Sequence, residues 1–334
     1  MLRMPEFRYH HARSADEAVT LFHALGGCAG RGKDAVWSAM YIAGGTDLLP
    51  NIKHRLFTPR HLVGLGGLPR AEIRDEGDVI VLDGGVTLHR VAEDPLVQRA
   101  LPPLAQAAGR VAGPQLRRMG TIGGNVLLDT RCLFYNQTAF WREALGYCLK
   151  KEGDWCHVIG GPKTCVAAQS SDCVPVLLAL DASIRLLGPE GERELSLRDL
   201  YQFNGFDHLK LTPGELLTQV RIPRPGAGFR GAYRKLRVRG SIDFPQVGVA
   251  VTGRWDGDAP IDLQIVVGAI NPQPKPVRKL EAFLHKPLNS AAIEAIGDLV
   301  NQQTRPQSSV AGDVAWRRAM AGIMARRALA DLAG

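Results

Sequence analysis

No apolar run in the 334-residue sequence approaches the roughly 18 residues that a membrane-spanning helix needs. The opening stretch, MLRMPEFRYHHARS, holds no hydrophobic core of a secretory signal, so a cytoplasmic protein away from the membrane is expected. The net charge is +8, yet its basic residues are scattered in short groups such as YRKLRVRG and WRRAMAGIMARRALA. No basic run interleaved with aromatics and no helix-turn-helix or zinc-finger spacing appears, which argues against nucleic acid as a partner. Solvated faces, an acidic partner subunit or an anionic ligand account for the charge more economically. Cysteine is sparse, with six in all, and no two of them stand as C-x2–4-C. There is no internal repeat and no low-complexity tract.

What is present reads as several units with cores of their own. Ser14 followed by Glu17 has capping-box spacing, and Ala18, Val19, Leu21, Phe22 and Leu25 form a helical apolar face. VWSAMYIAGGTDLL runs from a short strand through a glycine turn toward a helix, and HLVGLGGL supplies a strand after Pro59. VIVLDGGVTLHRV gives a strand, a turn and a helix start near Leu88; the helical stretch after it is interrupted at Pro102 and Pro103. SSDCVPVLLALDASIRLLG reads as helix then strand, and ELLTQVRIPRP as a strand ending on Pro223 and Pro225. Pro-Arg-Pro-Gly-Ala-Gly is linker chemistry, so a boundary is expected there. Beyond it, GAYRKLRVRG, QVGVAVTGRW and IDLQIVVGAI predict three strands, followed by helices near 289–303 and 312–332.

Two glycine turns, YIAGGTDLLP at 41–50 and GTIGGN at 120–125, carry the first chemical signal. Adjacent glycines let the backbone approach a ligand and turn N–H groups toward an anion. Neither turn is a Rossmann or Walker loop, and either could be a tight turn with no ligand. Together, each following an apolar strand, they suggest a diphosphate gripped from two sides.

The second signal is Cys132, Cys148, Cys156 and Cys165, spaced C-x15-C-x7-C-x8-C. Clustered thiols in a reducing compartment point to metal or redox roles rather than disulfides. Zinc, a [4Fe–4S] cubane and no metal at all stay open on spacing alone. The missing knuckle weighs against zinc, because a wider cubane tolerates separated ligands. Cys173 reads as a buried filler and Cys28 as an incidental loop thiol; Tyr147, Trp141 and Trp155 would shield the thiols from water.

AGGTDLL, GTIGGN, SSDCVP, GELLTQVRIP and YRKLRVR, in this order over nearly the whole chain, resemble the flavin subunits of the xanthine dehydrogenase superfamily. The resemblance implies an α+β fold: an FAD-binding domain of the PCMH/vanillyl-alcohol-oxidase type in two subdomains, residues 1–60 and 61–223. A C-terminal α+β domain of the CO dehydrogenase flavoprotein type would fill 226–334. Tyr41, Ile42, Ala43, Gly44, Gly45, Thr46, Asp47 and Leu48 would wrap the FAD diphosphate. Thr121, Ile122, Gly123, Gly124 and Asn125 would close on it, with Val111 ahead of that turn. Asp172 would meet a sugar-like hydroxyl, and Leu217 and Lys235 would lie near the flavin.

Asn125 and Asp172 stand 47 positions apart, so the resemblance also implies an insertion at about 128–168. TRCLFYNQTAFWREALGYCLKKEGDWCHVI with Cys165 is similar to the loop that binds a [4Fe–4S] cluster in the 4-hydroxybenzoyl-CoA reductase branch of this superfamily. That likeness implies an electron relay in a heterohexamer, a dimer of heterotrimers. A molybdopterin large subunit and a small subunit with [2Fe–2S] clusters would be its partners, and ferredoxin its donor. The alternative is the flavin subunit of a molybdenum hydroxylase that oxidises an aldehyde or N-heterocycle.

Overall fold

Ser14 opens the helix Ala15–Ala24 as its spacing predicts, its hydroxyl accepting from Glu17 N at 3.1 Å. The Glu17 carboxylate reaches back to Arg13 N rather than to Ser14 N, one residue earlier than the usual box. The computed structural model describes residues 2–333. The helix covers a three-stranded parallel sheet in the order Arg8–His11, His61–Gly64, Ala39–Ile42. The central strand of this sheet is His61–Gly64, with Leu62 and Val63 fully buried. After the loop around Pro59 the chain thus returns to complete the sheet it left.

The second sheet is antiparallel, in the order Ile73–Asp75, Val79–Asp83, Leu216–Pro223, Ser183–Gly188, Gly191–Ser196. Helices Leu88–Glu93, Pro102–Gly109 and Cys173–Ala179 cover it, joining Ile80, Leu82, Leu104, Leu177, Ile184 and Val220 in one core. Pro102 starts a new helix after Leu101 leaves helical geometry, so the two prolines break the segment where expected. The outer strand Gly191–Ser196 is exposed and carries Glu192, Arg193 and Glu194, charges that discourage pairing with another chain.

The third sheet, Phe229–Leu236, Val247–Asp256, Ala259–Gly268 and Lys275–Pro276, is antiparallel and buried on both faces. Val247, Val249, Val251, Ile265 and Val267 face helices Ser290–Gln303 and Val314–Ala330. Tyr233, Ala250 and Val266, from the other face, join the core of the second unit. Burial on both faces is why these strands read as near-continuous apolar runs. It also locks the third unit onto helices Pro102–Gly109 and Cys173–Ala179.

Candidate functional site

A cleft of about 1550 Å³ runs between the first two units, and most of the expected residues line it. Strand Ala39–Ile42 delivers Ala43-Gly44-Gly45-Thr46 to its edge, and the short helix Leu48–Lys53 leads away. Gly45 sits at φ +68°, where a side chain is strained, and a Cβ on Gly44 would fall 1.8 Å from Met119 O. The second glycine segment thus presses directly on the first. Among the described residues, the N–H groups of Gly44, Gly45, Thr46 and Asp47 find no acceptor, and all four residues line the cleft. Tyr41 braces the turn from behind: its hydroxyl donates to Gly214 O at 2.7 Å and its ring stacks on Phe22.

The second turn differs from expectation in its setting. It follows the short helix Pro114–Arg117 rather than a strand, and Thr121 is the N-cap of Ile122–Val126, accepting from Gly124 N at 3.1 Å. Thr121, Gly123, Gly124 and Asn125 line the cleft; Ile122 is fully buried in the core beneath. Asn125 Oδ1 accepts from Ser171 Oγ at 2.6 Å, tying the turn to the SSD segment. Val111 and Leu217 also line the cleft.

Asp172 lines the cleft but its carboxylate is turned to protein partners. Lys235 Nζ donates to one oxygen at 2.8 Å and the Tyr233 hydroxyl to the other at 2.7 Å. Burial raises the Asp172 pKa above the usual carboxylate range, while the nearby Lys235 cation and both hydrogen bonds oppose that rise. Lys235 donates as well to Arg110 O and is not among the residues that line the cleft.

The insertion leaves the second unit through a two-way backbone bridge, Arg131 with Ala168, and returns beside it. Arg142 anchors its helix Ala139–Ala144 by donating to His54 O and Arg55 O, carbonyls at the end of helix Leu48–Lys53. Cys132, Cys148, Cys156 and Cys165 all line one small buried cavity, with Phe134, Tyr135, Leu149, Val158 and Val166 around them. Trp141 and Trp155 are exposed and Tyr147 is outside the lining, so the aromatic shield comes from Phe134 and Tyr135 instead. His157 lines the cavity but its Nε2 is engaged with Tyr147 O at 2.5 Å. Cys173 is fully buried in the core, as a filler would be, and Cys28 lines the open cleft.

Burial pushes the Cys132 thiol up to about 12 and the Cys165 thiol up to about 11, the latter opposed by the Lys150 cation. These thiols ionise at neutral pH only against a further positive charge. Among the described residues no group of three or more His, Cys, Asp or Glu side chains is placed to hold a metal ion. Yet all four thiols face one cavity.

Several residues at this site carry no motif that sequence reasoning uses. Arg131 forms an ion pair with Asp47 and sits 4.7 Å over the Phe244 ring, joining the insertion to the first turn. Burial lowers its pKa to about 10, which leaves it charged. Lys150 donates to Asp129 at 2.6 Å, beside Tyr135, whose hydroxyl donates to the same carboxylate at 2.9 Å. Their adjacency to Cys132 and Cys148 was the one available signal, and only the fold makes it legible.

The FAD binding domain in molybdopterin dehydrogenase matches residues 5–225, and the CO dehydrogenase flavoprotein C-terminal domain matches 231–332. The carbon monoxide dehydrogenase medium chain of Afipia carboxidovorans is 31% identical over 97% of this chain and 95% of its own. The aldehyde oxidoreductase FAD-binding subunit PaoB of Escherichia coli is 33% identical over 80% and 84%. A chain of the carbon monoxide dehydrogenase from Hydrogenophaga pseudoflava superimposes with a TM-score of 0.77 at 28% identity, covering 98% of this chain and 97% of that one. No helix among the described residues is long and apolar enough to cross a membrane.

Proposed function

The chain belongs to the FAD-binding subunits of the xanthine dehydrogenase and CO dehydrogenase molybdenum hydroxylase family; from that premise we propose that it is the electron-transfer subunit of a 4-hydroxybenzoyl-CoA reductase. The reaction would be reductive removal of the phenolic hydroxyl from the aromatic CoA thioester, on a molybdopterin large subunit. The observation that carries the reading is the insertion, whose four cysteines line one cavity beside the FAD cleft. Bound together, FAD and a [4Fe–4S] cluster would supply two-electron and one-electron redox chemistry, a relay from ferredoxin to a [2Fe–2S] small subunit and molybdenum.

The residues present suit FAD, and four thiols on one cavity support a cluster there, although no ready-formed metal-binding group stands among the described residues. Around the cleft, unpaired N–H groups of Gly44 to Asp47 suit a diphosphate, and the close packing of Gly44 on Met119 leaves the backbone itself as the binding surface. Leu48, Val111 and Leu217 offer apolar walls, while Asp172 is fixed by Lys235 and Tyr233 before any ligand arrives. Around the thiols, apolar side chains keep water out, and Ala167 N approaches Cys165 Sγ at 3.5 Å as a weak donor. A low-potential donor needs an inlet that a subunit discharging electrons does not, and the insertion provides a separate place for one. The assembly would be a dimer of heterotrimers in the cytoplasm.

A second reading keeps fold and cofactors and reverses the flow: the flavin subunit of a hydroxylase oxidising an aldehyde or N-heterocycle. It is favoured by the dehydrogenase and aldehyde oxidoreductase relatives. Steady-state assay of the complex separates them, since thioester-dependent oxidation of a reduced low-potential dye belongs to the reductase alone. Aldehyde oxidation linked to a quinone or NAD⁺ selects the second reading. The cluster is tested by anaerobic purification with iron, sulfide and zinc analysis. About four irons per chain, lost in Cys148→Ser with flavin retained, are expected. Zinc in place of iron, or flavin bands alone, overturns the relay.

A further inference from the structure

Two residues, Tyr135 and Lys150, line the thiol cavity and the FAD cleft at once, so they form the wall between them. The wall is built rather than incidental. The Lys150 side chain is 6% exposed and its Nζ donates to Asp129 at 2.6 Å and to Thr130 O at 3.1 Å. It lies 4.3 Å from the centroid of the Tyr135 ring, whose hydroxyl donates to the second Asp129 oxygen. Thr130 in turn donates to Gly205 O, which closes the network from the far side. Among the described residues lining the thiol cavity, Lys150 is the one lysine or arginine.

We infer that Lys150, held by Asp129 and Thr130 against the Tyr135 ring, sets the reduction potential of the group in the thiol cavity. It is a positioning residue that acts by its charge, and it places a fixed cation on the side facing the flavin cleft. The inference rests on the reading that the four thiols hold a cluster. One electron from a reductant adds one unit of negative charge to the cavity and displaces nothing. A buried ammonium in the cavity wall favours that charge, because the apolar lining screens it poorly. Asp129 opposes it from farther off.

The test is an anaerobic reductive titration of the full chain with dithionite, followed by absorbance and electron paramagnetic resonance after iron analysis. Lys150→Met should shift the oxidised-to-reduced ratio at fixed potential at least tenfold toward oxidised, about 59 mV for one electron. Lys150→Arg keeps the charge and should stay within about threefold of the native protein. Asp129→Asn should move the ratio the opposite way by a smaller factor. A merely structural role would lower iron content without moving the potential of the clusters that remain. If Lys150→Met loses its iron, Asp129→Asn decides alone, and a ratio equal to the native one overturns the inference. An unchanged ratio in an iron-replete Lys150→Met also overturns it and leaves the proposed function standing. A native chain without iron sinks both together.

Discussion

Lys235 with Asp172 and Lys150 with Asp129 both pair a buried lysine with an aspartate, closed at 2.8 and 2.6 Å, and they stand in unlike surroundings. The first joins strand Phe229–Leu236 to the start of helix Cys173–Ala179, and so couples the second and third units. Its side chains are 1% and 4% exposed, and Tyr233 and Arg110 O add a hydrogen bond to each partner. The second spans only the wall between two cavities, and its aspartate is 22% exposed. A carboxylate with a route to water survives the loss of its lysine; one without it does not. The same interaction is therefore a structural joint in one place and an adjustable charge in the other.

The largest expected effect tests the joint. Lys235→Met strands the Asp172 carboxylate and should cost about 3–5 kcal/mol in urea unfolding. Without its lysine, Asp172 has a folded pKa above the unfolded value, since burial already pushes it that way. Stability from such a group is present below the unfolded pKa and lost as pH rises, so the variant should be less impaired at pH 5 than at pH 8. Adding Asp172→Asn removes the stranded charge and should recover most of the loss. A double variant as unstable as the single one would break the comparison at its stronger end.

His208, close to the wall, gives the next effect. It is buried, its Nε2 donates to Leu128 O at 3.1 Å, and burial holds its pKa down at about 4. The folded protein keeps it neutral while the unfolded chain takes up a proton near pH 6.5. Stability is thus lost as pH falls from about 6.5 to 4, by about 3 kcal/mol. His208→Gln should flatten that part of the profile in chemical unfolding at pH 7 and pH 4.5. A variant profile as steep as the native one would mean that water reaches the wall from this side.

Much of this arrangement was legible before the fold. The Ser14 cap, the break at Pro102 and the two C-terminal helices depend on neighbours in sequence, and they stand where local pattern puts them. The glycine turns were visible because backbone geometry demands glycine at Gly44 and Gly45. What escaped was set by distant partners. The strand His61–Gly64 belongs to the first sheet through pairing that no local signal states. Lys235 pairs with Asp172 because a strand 63 residues away packs on that helix. Arg131 and Lys150 looked like ordinary basic residues, since a buried charge is indistinguishable in sequence from a solvated one.

The smallest effect sharpens the other end of the comparison. Lys150→Met removes the donor to Asp129, Thr130 O and Thr130 Oγ1 but leaves Asp129 22% exposed and still accepting from Tyr135. Water can reach one carboxylate oxygen, so the cost should be about 1–2 kcal/mol, well below that of Lys235→Met. The methionine stem also keeps most of the contact with the Tyr135 ring. Urea unfolding of both variants under one set of conditions measures the gap directly. Equal losses would mean that the wall is as dry as the joint, and that Lys150 is held in place by the same necessity as Lys235. A gap of the expected size leaves the wall's charge free to change without unfolding the protein, which is the condition for using it to tune a potential.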